Sequence, residues 1–462
     1  MKKHIVFLFI IILSLGTWDV KAQQTLAVMN ENIYSTNYNP GKPSLYKWHA
    51  SIPGISNFNI AFSENLLTYK KLVTSTDTSK IINPRGLLKG LKRPSRFIFD
   101  LNEEILGFGL RTEEVSYFSF STRLRSETYV FLPNEWFSMM IEGNAEYIGE
   151  NVESRPGIFH STYLEFGISY QYTIQNKYTV GIRPKLLFGI TNIHTTQSSI
   201  NLLTTEDWDL QAQGNMQLNT YLPFNEKFEF RQDEFITGLF HNPGFSFDLG
   251  ATIELPYDLG VAISINDLGY IFWQNDKLTN QFNFSTNDTG EFTQDGNIFF
   301  DGFELALNGL QDGQLPDIST IFDSIATDDF FTYTYKNIDN YRSSLYPKLY
   351  VEAFYKLSNY RFTILSRTDF VGKKAIPSFT FACNAYYGDI VELTLTYSIY
   401  NRTFSNVGFG AHFHFGPVQW YFAFDNLIGP IAPKSFNNFS LQSGLFLGIR
   451  PKVDKNIRSS YM

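Results

Sequence analysis

His412 and His414 stand at alternate positions of the run Val407-Gly-Phe-Gly-Ala-His-Phe-His-Phe415. Residues two apart share one face of a strand, so the two imidazoles project together, opposite Phe413 and Phe415. Paired imidazoles bind transition metals when a third ligand joins them. The sequence offers no identifiable third ligand, so the pair is read as ordinary polar groups on the inner face of a β structure, with metal binding as the alternative. The same alternation in neighbouring runs points Arg111, Arg123, Arg125, Glu165, Arg183, Lys185, Glu352, Lys356, Arg361, Arg367, Asp369 and Glu392 to that polar face. Both signs of charge are present. Such a set either fills an interior with paired charges and hydrogen bonds or lines a polar conduit or ligand cavity.

The chain has no G-x-S-x-G elbow, no H-E-x-x-H pair and no P-loop lysine motif. No catalytic, cofactor or metal residues are assigned, and the chain is not expected to be an enzyme. The single cysteine, Cys383, excludes an intrachain disulfide and shares a face with Phe379 and Phe381, as a small apolar packing residue would. Residues 273–342 carry twelve acids against Lys277, Lys336 and Arg342, which suits a solvated loop. A divalent-cation site or a selective lid is the sharper alternative there, although Asp295–Asp301 lacks calcium-loop spacing.

The elements that would hold these groups are strands. Met1-Lys-Lys-His4, the apolar run from Ile5 to Leu15 and the small residue Ala22 form the pattern of a secretory leader cut after Ala22. No later segment reaches 18 consecutive apolar residues, the length of a spanning helix. Aromatic residues make up 17% of the chain, and its net charge is −8. That acidity disfavours nucleic acid, whose phosphates need clustered Lys and Arg.

Period-two runs recur at 45–62, 96–111, 115–127, 158–174, 178–198, 243–255, 259–272, 343–357, 360–371, 376–387, 390–401, 406–415, 418–426 and 438–449. Residues 207–222 are assigned to a loop projecting beyond the sheet, with a further strand as the alternative. Short helices are expected in 133–141 and around 317–325. The connections alternate between tight turns and segments of very unequal length. The pattern is that of an all-β, transmembrane up-and-down antiparallel barrel of about fourteen strands, with greasy faces on lipid and polar faces on a lumen. Both termini fall on the short-turn side. The expected division is a leader (1–22), an N-terminal lead-in or plug (23–44), the barrel (45–449) and a periplasmic tail (450–462).

Several short stretches resemble one group. They are the lead-in ending at Asn39-Pro40, Ser51-Ile-Pro-Gly-Ile-Ser-Asn57, Gly107-Phe-Gly109 before Tyr117-Phe-Ser-Phe-Ser121, and Ile265-Asn-Asp-Leu-Gly-Tyr-Ile-Phe-Trp273. The group is a family of Bacteroidota outer-membrane barrel proteins of unknown function. More distantly, the Asn-Pro lead-in and the strand number resemble FadL-like transporters of hydrophobic compounds. That resemblance implies an N-terminal plug and passage or binding of a small hydrophobic or amphipathic compound at the cell outer membrane. The alternative is a structural or docking barrel whose long loops, 199–242 and 273–342, hold a secreted or surface protein. The partners expected are outer-membrane lipid and lipopolysaccharide, a small hydrophobic ligand or such a protein, with no cofactor and no nucleic acid.

Overall fold

The computed structural model describes residues 24–65, 73–75, 80–82, 95–142, 144–206, 210–223, 240–274, 279–285, 305–306, 332–338, 340–400, 403–427 and 438–450. In lipid, every backbone N–H and C=O must find a partner within the protein, and a closed sheet supplies one for each. Fourteen antiparallel positions close such a ring here. They are β1 (Trp48–Ser51 and Phe58–Glu64), β2 (Ser95–Glu113), β3 (Ser116–Leu132), β4 (Gly157–Ile174) and β5 (Tyr178–Thr204). Next come β6 (Asn242–Glu254), β7 (Leu259–Gln274), β8 (Asn340–Ser344 and Lys348–Leu357), β9 (Tyr360–Val371) and β10 (Lys374–Tyr387). The ring ends with β11 (Val391–Tyr400), β12 (Thr403–Phe415), β13 (Val418–Phe424) and β14 (Asn438–Ile449). Each strand pairs with the next, and β14 returns to β1 with Trp48 opposite Ile449 and Phe58 opposite Ser443.

The outer and inner faces are inverted relative to a soluble barrel. Outward Ile182, Ile263, Ile364, Phe381 and Leu395 are exposed, whereas inward Glu165, Lys185, Thr363, Thr380 and Thr394 are buried. A wall with apolar groups outside and polar groups inside is stable only with hydrocarbon around it.

Register shifts interrupt the alternation at several places, and three of them bear on the lumen. In β2, Ile105 is the extra residue between the pairs Glu104–Arg123 and Leu106–Thr122. Inward positions therefore change from even (Ile98, Asp100, Glu104) to odd (Gly107, Gly109). In β5, the register shifts between Thr162 and Tyr163 of its partner β4. In β7, Asn266 and Asp267 together oppose Asp248, and both are buried. Asp267 takes a φ of 61°, which the bulge imposes on a residue type that tolerates it.

One expectation is corrected. Within 207–222, the segment Leu210–Tyr221 is a strand rather than a projecting loop. It pairs with the far half of β5 and with Thr279–Ser285, continuing the wall beyond the end of β6. The physical reason is length: β5 runs 27 residues, and its far backbone groups need a partner once β6 has ended. The helix expected in 133–141 is present as Asn134–Glu142. The leader, the helix around 317–325, most of the acidic stretch within 273–342 and the tail beyond Arg450 lie outside the described residues.

The lead-in contains helix α1 (Gln24–Val28) and a 3-10 turn (Ile33–Asn37). Its bonding partners lie on β2, β4, β5, β6, β7, β10, β11 and β12, on opposite sides of the ring. A segment that touches so many inner faces at once runs through the lumen.

Candidate lumen site

The lead-in belongs to no sheet, so its backbone needs side-chain partners. The wall supplies them. Glu392 accepts the N–H groups of Asn30 at 2.8 Å and Glu31 at 3.0 Å. Asn384 Nδ2 donates to Val28 O at 3.0 Å, and Ser264 Oγ to Tyr38 O at 2.6 Å. Asn266 Nδ2 donates to Asn37 O and Tyr38 O, and Arg183 to Thr36 O. Gln171 accepts from Ser44 N at 2.8 Å and donates to Pro40 O and Lys42 O.

The lead-in adds ionic anchors of its own. Glu31 lies 3.0 Å from His414 Nε2 and 3.0 Å from Arg450 Nη1. Lys42 donates to Ala27 O at 2.9 Å, folding the segment back on itself. At Asn39-Pro40-Gly41 the backbone approaches the wall so closely that a Cβ on Gly181 or Gly250 would collide with Pro40 or Asn39. Glycine is required there for proximity rather than for torsion.

Beyond the lead-in, toward the long connections, lies a layer of ion pairs. Asp267 is its hub. It accepts from Arg125 at 2.7 Å, Lys185 at 2.6 Å and Lys348 at 2.9 Å, groups from three different strands. Its own N–H donates to Asp248 Oδ1 at 2.8 Å, and Asp248 pairs in turn with Lys185 at 2.5 Å. Glu165 takes Arg123 and Arg125, and Glu127 takes Lys348 and Arg125. Paired this fully, buried charges hold a specific arrangement, and removing one leaves its partners exposed to the full desolvation penalty.

Farther toward the long connections the lumen turns apolar. Ile98, Tyr129, Phe131, Phe159, Tyr346, Val371, Ile376 and Tyr400 form one buried cluster. Tyr163, Leu187, Tyr221, Ile271, Trp273 and Leu345 form a second beside it. The two clusters point inward from the wall, where barrels usually carry polar groups.

The residues singled out from the sequence fall into five places. Arg123, Arg125, Glu165, Arg183 and Lys185 share the ion-pair layer with Asp267. Arg367 and Asp369 bond each other at 2.6 Å on β9, with Tyr129 Oη 3.5 Å from Asp369. Glu352 and Arg361 pair at 2.8 Å, and Lys356 pairs with Glu254 at 2.9 Å, nearer the short turns. Arg111 donates to Ser44 O and to Glu114 O at the short-turn rim. Glu392, His412 and His414 surround the lead-in. The two imidazole rings lie 4.0 Å apart, but His414 bonds Gln419, Glu31 and Arg450. Among the described residues no group of three or more His, Cys, Asp or Glu is placed to hold a metal ion.

Sequence reasoning missed Glu127, Asp248, Asp267, Lys348 and Glu31, as well as Asp425, which accepts the N–H groups of Gln24 and Thr25. Glu127 continues the inward row of Arg123 and Arg125, and Asp248 lies on the inward row of Ser246 and Gly250. Period two reaches both. Asp267 is different, because the bulge puts two consecutive residues inside and defeats any alternation rule. Its signal was the stretch Ile265–Trp273, which carried the resemblance without disclosing a role.

Residues 40–425 match the model of a family of unknown function, DUF5723. The chain belongs to that family. No curated protein matches it. Among solved structures, the barrel is similar to a mutant of the TodX monoaromatic hydrocarbon channel, at 8% identity and a TM-score of 0.41, covering 91% of this chain and 95% of that one. It is also similar to the Pseudomonas putida toluene transporter TodX (9% identity, TM-score 0.37, 90% and 93% covered). A third is the translocator domain of the autotransporter NalP from Neisseria meningitidis (8%, TM-score 0.27, 85% and 88%). Likeness at these levels carries no functional argument for this DUF5723 member, whose barrel is established by its own strand pairing.

Proposed function

We propose that this protein is an outer-membrane barrel, processed after Ala22, that binds a small hydrophobic or amphipathic compound on the long-connection side of its lumen. The observation that carries this reading is the inward-facing aromatic layer above the ion pairs. Polar or charged residues would fill a purely structural interior just as well, whereas an apolar inner face gives a greasy solute a place to bind. The lead-in is then a plug, and the ion-pair layer is the floor of the binding region. Passage of the compound requires the lead-in to withdraw.

The test uses the purified full-length barrel in liposomes. A hydrophobic aromatic probe is expected to quench Trp273 fluorescence, and Phe131→Ala with Tyr346→Ala is expected to weaken binding about tenfold, as loss of aromatic burial implies. Absence of both saturable binding and probe uptake sinks the reading.

The tall wall built by β5 and Leu210–Tyr221 favours a second reading. It raises one side of the rim into a platform for a secreted or surface protein. Co-purification of one specific protein, lost when residues 205–223 are replaced by a short linker, is the outcome that reading requires.

A further inference from the structure

We propose that the outer face of β4–β8 holds one acyl chain of a phospholipid from the leaflet on the short-turn side, in a groove that backs the seat of the lead-in. This rests on the outer-membrane reading above, but it concerns the outside of the wall and not the aromatic layer of the lumen.

The strand register places the groove. Two outward rows cross these strands. One runs Tyr172, Val180, Ala251 and Ile263. The next, one step farther from the short turns, runs Tyr170, Ile182, Leu249, Ile265 and Leu349. They enclose a groove of about 550 Å³, a volume in the range of sites for small ligands. Ala251 is the smallest side chain in the two rows, so the groove is deepest there and the larger residues rise around it.

Between the two outward rows lies one inward row: Gln171, Gly181, Gly250, Ser264 and Tyr350. Every member meets the lead-in between Tyr38 and Lys42. Gln171 donates to Pro40 O and Lys42 O, and Ser264 Oγ donates to Tyr38 O. The ring of Tyr350 lies 6.0 Å from that of Tyr38. A Cβ on Gly181 would collide with Pro40, one on Gly250 with Asn39, and one on Gly41 with the Gly250 backbone. The lead-in thus meets the wall backbone to backbone, and the groove is the other side of that same backbone. With no inward Cβ at Gly181 and Gly250, and only a methyl group outward at Ala251, the wall here is one peptide layer thick.

Depth in the membrane decides the occupant. The two rows stand just above the turns at 175–177 and 255–258. About 9–11 residues of a tilted strand span the whole hydrocarbon layer, so the groove lies in the half nearer the short turns. The rim below it carries Lys177, Tyr178 and Tyr257, with Asp258 as the acid among them. A cation and tyrosines are groups that receive a lipid headgroup. Within hydrocarbon a chain gains nothing by leaving water, and contact on several sides is what holds it. A chain seated over Ala251 restores close packing behind the glycines and steadies the strands that grip Asn39-Pro40-Gly41.

The test compares full-length wild type, Ala251→Phe and Ala353→Phe. Each is folded into vesicles of phosphatidylethanolamine and phosphatidylglycerol with added lipopolysaccharide. Phenylalanine at position 251 fills the groove. Ala353 is also outward and exposed, on β8 outside the groove, so the same added bulk there leaves the groove open. The barrels are extracted in detergent and washed, and bound lipid is counted by mass spectrometry of the intact complex. Heat-modifiable migration in gels follows folding. Wild type and Ala353→Phe are expected to keep one phospholipid, and Ala251→Phe to keep it about tenfold less often. Gly41 N donates to Asn39 Oδ1 and Lys42 N to Asn39 O. In wild type these two amides are expected to exchange about tenfold faster once phospholipid is stripped, and to slow again when it is returned. Equal retention by all three proteins overturns the proposal. So does a wild type that keeps no phospholipid, or that keeps lipopolysaccharide in its place, and so does exchange indifferent to phospholipid. Should Ala251→Phe not fold, Ala251→Ile takes its place in the comparison. Probe binding in the lumen is scored separately, so its failure affects only the functional reading.

Discussion

Asn266 and Asp267 are consecutive in the chain, and both face the lumen. Asn266 donates to the carbonyls of Asn37 and Tyr38 in the lead-in, while Asp267 gathers Arg125, Lys185 and Lys348. A single bulge thus joins the lead-in to the ion-pair layer. Movement of one is mechanically tied to the other, because both contacts share the same two residues of backbone.

Asp267→Asn removes the charge on which three buried cations converge. The substitution is expected to destabilise the barrel by about 3–5 kcal/mol, the cost of leaving buried charge uncompensated. The urea midpoint for loss of the folded gel mobility measures it. An unchanged midpoint would show that the cations find other acceptors.

Gly250→Val places a side chain where Asn39 now sits. Valine suits an extended strand, so the ring is expected to close as before. The lead-in is expected to be displaced, raising single-channel conductance above the wild-type level. Gly181→Val should act in the same way from the neighbouring strand, through Pro40.

Glu31→Gln removes the negative charge that His414 and Arg450 share. The lead-in is expected to lose about 1.5–3 kcal/mol of local stability, the range for a hydrogen bond to a charged group. Hydrogen exchange of the amides within residues 24–44 reads this directly, and exchange elsewhere in the wall should be unaltered.

Ile364→Arg tests the lipid-facing wall. Ile364 is 52% exposed in the middle of β9, with inward Thr363 beside it. Arginine at the centre of a lipid-facing strand is expected to cost about 2–4 kcal/mol in folding into a bilayer. A change below 0.5 kcal/mol, measured by reversible folding into lipid vesicles, would place this face outside the hydrocarbon, by the usual scale for neutral surface substitutions.

The sequence by itself determined the wall. Alternation from Val391 to Phe415 is enough to separate lipid-facing Phe413 and Phe415 from inward His412 and His414, because a strand has only two faces. The alternating short and long connections determined the up-and-down order and the number of strands. Alternation also told which charges face inward, from Arg123 to Glu392. It could not say which charges meet, since a period assigns a face and not a height or a partner across the ring. Lys185, Asp267 and Lys348 are far apart in sequence and touch only once the ring has closed. The strand Leu210–Tyr221 was hidden because its partner, the far half of β5, stands beyond the neighbouring β6. Asp267 itself was decided by the tertiary structure alone: the bulge suspends the period of two at that one place, and there the lumen gathers its charges.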